Sequence, residues 1–133
     1  MLMGICAYAI DVPEAVTNAF KIKFPLATDV KWGKENKNEY EADFKLNGVK
    51  MGANFLSNGT WMATETPIAM MDLPTSVLKT LKEKYTGYTI SATFKIEKAT
   101  GKIAYEAEIK KRTQKQEVIL DTDGNILNPN EEF

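Results

Sequence analysis

Four carboxylates stand at alternate positions in two segments of this chain, a spacing that could support acid–base chemistry. Glu41 and Asp43 lie in one segment, and Glu106 and Glu108 lie in the other. Residues two apart on a β-strand share a face, so each pair could act as a general acid and a general base. Lysines accompany these carboxylates, which instead favours cross-strand ion pairs on a solvated surface. These lysines are Lys45, Lys50, Lys95 and Lys110. We therefore interpret the charged residues as a binding surface and predict no catalytic residue.

The composition narrows the possible chemistry further. The 133 residues include no histidine, which excludes Ser-His and Cys-His catalysis and histidine-based metal sites. Cys6 is the only cysteine, so no intramolecular disulfide can form. Seventeen basic residues nearly balance eighteen acidic ones, so no field of one sign attracts nucleic acid or an anionic membrane. We predict a protein that is not an enzyme, needs no cofactor, binds no nucleic acid and does not span a membrane.

The segment Asp121–Asn125 resembles the start of a calcium-binding loop, in which alternate carboxylates supply oxygen ligands and glycine permits a sharp turn. The candidate metal ligands are Asp121, Asp123 and Asn125. A complete loop needs a bidentate glutamate about six residues after the glycine, but Asn130 stands there and Glu131 comes one residue late. Asp-Gly is also a standard hairpin turn, and the equivalent segment 57–59 carries no carboxylate. A plain hairpin is the favoured interpretation, and a calcium or small-ligand sensor is the alternative.

Large apolar side chains outside the predicted core are a second class of candidate contact, because Trp and Met are enriched in binding surfaces. Trp32 is expected to pack where a helix meets the sheet. Trp61 follows a hairpin and precedes Met62, and the run 68–71, Ile-Ala-Met-Met, lies in a connector. We expect Trp61 and this connector to be exposed and available to a partner.

The elements that would position these residues occur twice. Val12-Pro13-x-x-Val16 is matched by Leu73-Pro74-x-x-Val77 at an offset of 61 residues, and the segment 40–44 is matched by 105–109 at an offset of 65. The four extra residues are expected in a turn around 98–102. Each repeat would be one supersecondary unit, and the two units would bury each other's apolar faces.

Each repeat is predicted to open with an amphipathic helix. Pro13 suits the first turn of a helix over residues 13–24, with Asp11 available as its cap and Pro25 as its stop. Pro74 begins the second helix, and Gly87 ends it.

Strands are predicted to follow each helix. Residues 39–46 alternate between apolar and charged side chains, Asn47-Gly48 is a preferred hairpin turn, and residues 90–96 alternate with Ile90, Phe94 and Ile96 on the apolar face. The pattern predicts an α+β fold of two tandem α-β-β-β-β repeats, whose antiparallel sheet carries the helices on one face. The other face is expected to be wet and, because sheets twist, concave. Its expected residues are Glu41, Asp43, Lys45, Lys50, Asn54, Thr93, Lys95, Glu106, Glu108 and Lys110.

The first nine residues form an uncharged apolar run that ends in the small-x-small triplet Ala7-Tyr8-Ala9. Such a triplet is typical of the end of a secretory signal, so the segment predicts export. An ordinary first strand is the alternative interpretation. A lipid anchor on Cys6 is disfavoured because Ile5 stands where a small residue is expected.

The order and duplication of these motifs resemble the PepSY-like proteins of the Gram-negative periplasm, which are similar in fold to beta-lactamase inhibitor protein. The motifs are Val12-Pro13-x-x-Val16, Phe24-Pro25, Val30-Lys31-Trp32, Tyr40-Glu41-Ala42-Asp43-Phe44, Ser57-Asn58-Gly59, Leu73-Pro74-x-x-Val77, Tyr105-Glu106-Ala107 and Asp121-Thr122-Asp123-Gly124. The resemblance implies two units of one helix and four strands, a periplasmic location, and a role in inhibiting or regulating another protein. It brings no catalytic residues.

Together these interpretations predict a signal-peptide remnant over 1–9, a first repeat over 10–66, a connector over 67–72, a second repeat over 73–127 and a tail over 128–133. The predicted function is binding of another periplasmic protein through the polar face. The predicted partner-binding residues are Glu41, Asp43, Lys45, Lys50, Trp61, Lys95, Glu106 and Glu108.

Overall fold

The computed structural model describes residues 10–128, which divide into two compact units. The N-terminal unit contains residues 10–66 and Lys98–Thr100, and the C-terminal unit contains Pro67–Glu97 and residues 101–128. The described part of each unit has one α-helix and four antiparallel strands, so the predicted α+β tandem repeat is confirmed. The predicted signal segment 1–9 and the tail residues 129–133 lie outside the described residues.

The helices and strands follow the same order in both units. The N-terminal unit has α1 (Glu14–Lys23), β1 (Thr28–Asn36), β2 (Glu39–Leu46), β3 (Val49–Leu56) and β4 (Trp61–Pro67). The C-terminal unit has a short 3-10 helix (Met70–Asp72), then α2 (Thr75–Lys84), β5 (Thr89–Lys98), β6 (Ile103–Lys111), β7 (Gln114–Asp121) and β8 (Ile126–Leu127). Within each unit every strand pairs antiparallel with the next strand along the chain.

Both helices begin directly after a proline. Pro13 occupies the capping position before α1 with φ −55° and ψ 142°, and its carbonyl accepts hydrogen bonds from the N–H groups of Val16 and Thr17 at 3.0 and 3.2 Å. Asp11 lies two residues before this position and no side chain caps the helix, so the prediction that Asp11 caps it is wrong. The helix ends at Lys23 because Pro25 follows and cannot continue it.

Each helix packs on one face of the strands of its own unit. In the N-terminal unit, Val16 and Phe20 of α1 pack on an aromatic-rich core. Its buried strand residues are Tyr40, Ala42, Phe44, Ala53 and Phe55. In the C-terminal unit, Val77 and Leu81 of α2 pack on an aliphatic core. Its buried strand residues are Ala107, Ile109, Val118 and Leu120. We call this side of each unit the helix face.

The turns agree with the repeat. Asn47 and Gly48 have φ values of +51° and +80°, which fits the tight hairpin predicted for this pair. The connection between the first two strands spans residues 37–38 in the N-terminal unit and 99–102 in the C-terminal unit. The predicted insertion is therefore confirmed in this turn and the adjoining strand ends.

A β-bulge in β5 overturns one predicted face. Ile90 pairs with Ile109, but the register slips at Ser91, so that Phe94 pairs with Glu106. Directly opposite residues in an antiparallel pair share a face, and Glu106 points away from the helix-face core. Phe94 and Ile96 therefore point to the side of the sheet away from α2. An unbroken alternation would have placed them on the helix face with Ile90.

Candidate polar face and turn

The side of each unit opposite its helix carries most of the predicted charged residues, and we call it the polar face. In the N-terminal unit, Glu41 pairs across β2 and β3 with Asn54, while Asp43 pairs with Gly52 and Gly52 pairs in turn with Glu65. Lys45 and Lys50 extend the same face at the end of the β2–β3 hairpin. The N-terminal polar face is therefore acidic along its middle and basic at one end.

The middle of the polar face is buried, contrary to the prediction that it is wet. Glu41 is 6% exposed, Asn54 4% and Glu106 1%. Glu106 lies between the apolar side chains of Phe94 on β5 and Ile119 on β7, which are its cross-strand neighbours. Large apolar neighbours on both sides remove a strand residue from water even when its own side chain is charged. Asp43, Lys45 and Glu108 are half-buried, and Lys50 and Lys110 are exposed.

Two predicted members of the polar face, Thr93 and Lys95, lie instead on the helix face, and the predicted apolar contact Trp61 lies there too. Lys95 pairs with Tyr105 and Thr93 pairs with Ala107, because the bulge in β5 reverses their direction. Thr93 is buried and its hydroxyl donates to the carbonyl oxygen of Ile68 at 2.7 Å. Trp61 pairs with Phe55 and packs against the N-terminal core.

Trp61 is half-buried, so its predicted exposure is only partly correct. Its indole Nε1–H donates to Thr64 Oγ1 at 3.0 Å, and the ammonium of Lys23 lies 3.6 Å from the ring centroid. A cation at this distance over the ring face is a favourable cation–π contact. Trp61 therefore joins the end of α1 to β4 within the N-terminal unit.

Met70 and Met71 of the connector are 50% and 84% exposed, which confirms their predicted exposure. Ile68 instead packs against the C-terminal core. Sequence reasoning missed Ile22 and Leu26 near the end of α1, which are 82% and 73% exposed. Helical spacing would allow either Ile22 or Phe24 to be buried, but Phe24 is the residue that packs against the N-terminal core.

Burial and neighbouring acids change the ionisation of the N-terminal polar face. Burial is the largest cause that raises the pKa of the Glu41 carboxyl to about 8, and the negative charges of Asp43 and Glu35 raise it further. Burial also raises the pKa of Asp43, although the ammonium of Lys31 partly opposes this shift. Glu41 is therefore mostly protonated at neutral pH and can act there as a hydrogen-bond donor.

The raised pKa of Glu41 gives a testable dependence of stability on pH. The folded state holds one proton more than the unfolded state between about pH 4.5 and pH 8, so ionisation of Glu41 destabilises the fold as pH rises through this range. We expect Glu41→Gln, which cannot ionise, to be more stable than wild type by about 1–3 kcal/mol at pH 9 and nearly equal to it at pH 5. Urea unfolding of both proteins at pH 5, 7 and 9 measures this difference.

The difference in stability between the two proteins cancels the titration of the groups that do not interact with Glu41. Glu83→Gln on the exposed side of α2 controls for the loss of one surface carboxylate. A stability difference between wild type and Glu41→Gln that stays constant from pH 5 to pH 9 would contradict the assigned pKa.

The C-terminal polar face brings together three carboxylates. Glu108 on β6 pairs directly with Glu117 on β7, and oxygen atoms of Glu106, Glu108 and Glu117 lie within 4.8 Å of one another. Burial raises the pKa of Glu106, and the charges of Glu117 and Glu108 raise it further. Sequence reasoning missed Glu117, although a two-residue turn at Arg112-Thr113 implies its pairing with Glu108.

The Asp121–Asn125 turn uses its carboxylate to hold its own backbone. Asp121 Oδ1 accepts hydrogen bonds from the N–H groups of Asp123 and Asn125, both at 2.9 Å, and Oδ2 accepts one from Asn125 Nδ2 at 2.9 Å. Partial burial alone would raise the pKa of Asp121, but hydrogen bonds from Asn125, Asp123 and Gly124 lower it overall. Both carboxylate oxygens therefore act as acceptors inside the turn, which fits the hairpin interpretation. The assignment of Asp121, Asp123 and Asn125 as metal ligands stays a prediction.

The equivalent turn of the N-terminal unit has the same backbone bonds without the carboxylate. Leu56 N–H donates to the carbonyl of Thr60, and Gly59 N–H donates to the carbonyl of Leu56, both at 2.8 Å. Asp121 and Gly124 donate to Asn125 and Asp121 in the corresponding way, at 2.9 and 3.1 Å. Asn58 Oδ1 accepts from Thr60 N–H in place of the aspartate. The same backbone geometry therefore forms in both repeats, with and without the carboxylate, and does not require a bound ion.

None of the helices among residues 10–128 has the length and apolar character needed to cross a membrane.

Comparison with solved structures finds the same fold in proteins of Bacteroides. A "putative periplasmic" protein of Bacteroides eggerthii matches with a TM-score of 0.74 and 20% identity over 90% of this chain and 88% of its own. A DUF2874 family protein of Bacteroides uniformis matches with a TM-score of 0.72 and 22% identity over 91% and 88%. A BLIP-like protein of Bacteroides fragilis matches with a TM-score of 0.65 and 22% identity over 92% and 87%. These likenesses establish the fold.

No curated protein matches this chain. One family profile does, with the description "Putative beta-lactamase-inhibitor-like, PepSY-like", and it matches residues 8–52 and again residues 38–128. The two overlapping matches agree with the duplicated helix and four-strand unit. Because the matched segments span nearly the whole chain, the protein belongs to this PepSY-like family.

Proposed function

We propose that this protein is an exported binding module that acts in the periplasm as an inhibitor or regulator of another protein. The family description and the periplasmic and BLIP-like descriptions of its structural neighbours support this proposal. We place the contact on the polar face of the N-terminal unit. Its proposed residues are Glu41, Asp43, Lys45 and Lys50.

The observation that carries the proposal is a pair of buried acceptors on this face. Asp43 Oδ1 and Asn54 Oδ1 are buried and find no hydrogen-bond partner among the described residues. A buried acceptor without a donor costs about 1–3 kcal/mol, so natural folds leave few of them. A partner that supplies amide, lysine or arginine N–H donors to these oxygens would recover this free energy on binding. The proposed partner surface is therefore basic or rich in donors where it meets Asp43.

The charges around these acceptors would orient such a partner. Lys45 forms an ion pair with Asp29 at 3.0 Å, and Lys50 is exposed opposite it on β3. A complementary surface would place donors over Asp43 and carboxylates over Lys50. Complementary charges of this kind speed association and fix the orientation of the two proteins.

The test is an affinity capture from periplasmic extract with the purified chain as bait, followed by mass spectrometry. We expect Asp43→Asn/Lys50→Glu to bind the captured partner at least tenfold more weakly than wild type, because it removes one acceptor charge and reverses one cation. Lys82→Gln on the exposed side of α2 is the matched control, since both variants make the net charge more negative by one. Circular dichroism confirms that the variants fold.

A partner recovered equally by all three baits would place the interface elsewhere on the protein. Recovery of no specific partner, with and without added calcium, would contradict the binding-module proposal. A rise in melting temperature on adding calcium to wild type and not to Asp121→Asn would instead support the sensor alternative at the Asp121–Asn125 turn.

A further inference from the structure

Three aliphatic side chains are exposed at one end of the N-terminal unit. Ile22 in the last turn of α1 and Leu26 in the turn that follows are mostly exposed, and Val49 at the start of β3 is 43% exposed. Single exposed apolar residues are common on protein surfaces, so exposure alone does not indicate a binding surface. These three are distinguished by their common location and by their replacement in the C-terminal unit. We call them the apolar tip.

The contacts of the N-terminal unit place the three residues at the same end. The ring centroids of Phe24 and Phe44 lie 4.7 Å apart, so α1 ends over the last residues of β2. Thr28, the first residue of β1, pairs with Lys45 of β2. The β2–β3 hairpin that carries Val49 turns just after Lys45. The end of α1, the turn after it and this hairpin therefore form one end of the unit, which the apolar tip occupies.

The C-terminal unit shows that the fold does not require aliphatic residues at these positions. The two helices have the same length and begin 61 residues apart, and the two hairpins are offset by 65 residues. The positions equivalent to the apolar tip are Glu83, Gly87 and Gln114. Both units therefore build this end of the same fold, one with exposed aliphatic side chains and one without them. The apolar tip is thus available for a function other than folding.

Lysines surround the apolar tip. The segments 21–30 and 45–50 contain one acid and four lysines, which are Lys21, Lys23, Lys45 and Lys50. The acid, Asp29, forms an ion pair with Lys45 at 3.0 Å, and the ammonium of Lys23 lies over the ring of Trp61. Lys21 and Lys50 are exposed. The near balance of charge over the whole chain therefore does not extend to these segments, which are positive and attract anionic groups.

An anionic lipid surface fits this combination better than a second protein does. Protein–protein contacts depend mainly on Trp, Tyr and Arg, whereas Leu and Val are under-represented among the dominant residues and Lys is depleted from interfaces. A bilayer surface accepts aliphatic side chains without a matching pocket, and lysine stems lie along apolar surface while their ammonium groups stay in the polar layer. Anionic headgroups add attraction for each lysine near the surface.

We propose that the apolar tip attaches this protein to the surface of a bilayer that contains anionic phospholipids. Ile22, Leu26 and Val49 enter the boundary between headgroups and acyl chains, and the neighbouring lysines contact phosphate groups. Attachment through a few side chains is weak and reversible, as is the binding of a single short lipid anchor. It does not use Asp43 or Asn54, so membrane attachment and the protein binding proposed above can be tested separately.

Co-sedimentation with sucrose-loaded vesicles tests the proposal. Wild type should be half-bound at about 1 mM accessible lipid in vesicles of phosphatidylglycerol and phosphatidylethanolamine in equal parts, and about tenfold more weakly bound to phosphatidylcholine vesicles. Ile22→Ser/Leu26→Ser should raise the lipid concentration for half-binding about tenfold or more, because two inserted side chains are lost. Met70→Ser/Met71→Ser is the matched control, since it removes two exposed apolar side chains from the C-terminal unit and should bind like wild type.

A second pair of variants tests the lysines. Lys21→Glu should weaken binding to the phosphatidylglycerol vesicles about tenfold, because it replaces a cation at the headgroups by an anion. Lys82→Glu occupies the equivalent place in α2 and changes the net charge equally. It should stay within about twofold of wild type, because the C-terminal unit has no aliphatic residues to hold its lysines at the bilayer.

A wild type that stays unbound at about 10 mM lipid would overturn the proposal. Ile22→Ser/Leu26→Ser that binds as wild type does would overturn it as well, because these substitutions leave the rest of the chain, including the apolar run 1–9, unchanged. Equal binding to neutral and anionic vesicles, or equal effects of Lys21→Glu and Lys82→Glu, would contradict the assignment of anionic lipid as the ligand. Urea unfolding of each variant shows whether a loss of binding comes from a loss of folding.

Discussion

Replacing Gly124 by alanine is expected to lower the free energy of unfolding by about 3–5 kcal/mol. Gly124 has φ +84°, a conformation that residues with a side chain rarely adopt. A Cβ atom there would lie 2.5 Å from the carbonyl oxygen of Ser76, 2.8 Å from its carbonyl carbon and 2.9 Å from Thr80 Oγ1. The first two are backbone atoms of α2, so the turn or the helix would have to move.

Such a movement would also break hydrogen bonds that hold the turn on α2. Ser76 Oγ donates to the carbonyl oxygen of Thr122, and Thr80 Oγ1 donates to the carbonyl oxygen of Gly124, both at 2.7 Å. These bonds explain why the backbone of the turn approaches the helix closely enough to require glycine. Steric overlap, backbone strain and lost hydrogen bonds would therefore all lower the stability of the Gly124→Ala variant.

Urea unfolding followed by circular dichroism measures the loss, and Gly101→Ala is the matched control. Gly101 also has φ +84°, but a Cβ atom there would meet nothing within 4 Å. Its replacement should cost about 1–2 kcal/mol, the strain of the backbone conformation alone. Equal losses for Gly124→Ala and Gly101→Ala would show that contact with α2 does not require glycine at position 124.

The N-terminal unit offers an independent repetition of this experiment. A Cβ atom at Gly59 would lie 2.6 Å from the carbonyl oxygen of Ala15 on α1, whereas Gly48, with a similar φ of +80°, has open space around it. Gly59→Ala should therefore destabilise the protein more than Gly48→Ala. Gly59 and Gly124 occupy the same place in the repeat, as do Ala15 and Ser76, so the close approach of turn and helix is a property of the repeated unit.

The sequence was sufficient to predict features that depend on short-range patterns. Helical spacing placed Val16 and Phe20 in one core and Val77 and Leu81 in the other, and Asn47-Gly48 indicated its hairpin directly. These patterns succeed because a helix repeats every 3.6 residues and a strand every two, so burial is visible in the spacing of apolar side chains. The duplication strengthened each assignment.

The features that the sequence did not predict depend on strand register. One extra residue at Ser91 turns Phe94 away from the helix face, and no composition signal marks it. Because side chains alternate, a single-residue slip exchanges the two faces of everything that follows. The same slip explains why Lys95 lies on the helix face and not on the polar face, where it was predicted.

The burial of Glu106 could not be predicted for a related reason. A glutamate that alternates with apolar residues usually faces solvent, and only the pairing with Phe94 and Ile119 places it between apolar side chains. The candidate polar face therefore differs from its prediction mainly in how much of it water can reach. This difference matters for function, because partly desolvated acids can provide more specific contacts than solvated ones.

Phe20→Ala is expected to lower the free energy of unfolding by about 3–5 kcal/mol, the range for removing a buried phenylalanine. Phe20 is 4% exposed, and its ring centroid lies 5.0 Å from that of Phe44 and 5.3 Å from that of Trp32. Both neighbours meet it edge to face, an arrangement that adds to the free energy of burial. Truncation would leave a cavity between α1 and the strands that these rings cannot fill without moving.

Urea unfolding measures the loss, and tryptophan fluorescence, recorded in a Trp61→Phe background so that only Trp32 emits, reports whether the cavity admits water. Phe20→Leu is the matched control, because Leu81 occupies the equivalent position in the C-terminal unit and is 2% exposed there. Leucine keeps most of the buried volume, so this variant should cost no more than about 1.5 kcal/mol. If Phe20→Leu were as destabilising as Phe20→Ala, the specific ring contacts would contribute more than filled volume, and the two units would depend on different kinds of core packing despite their common fold.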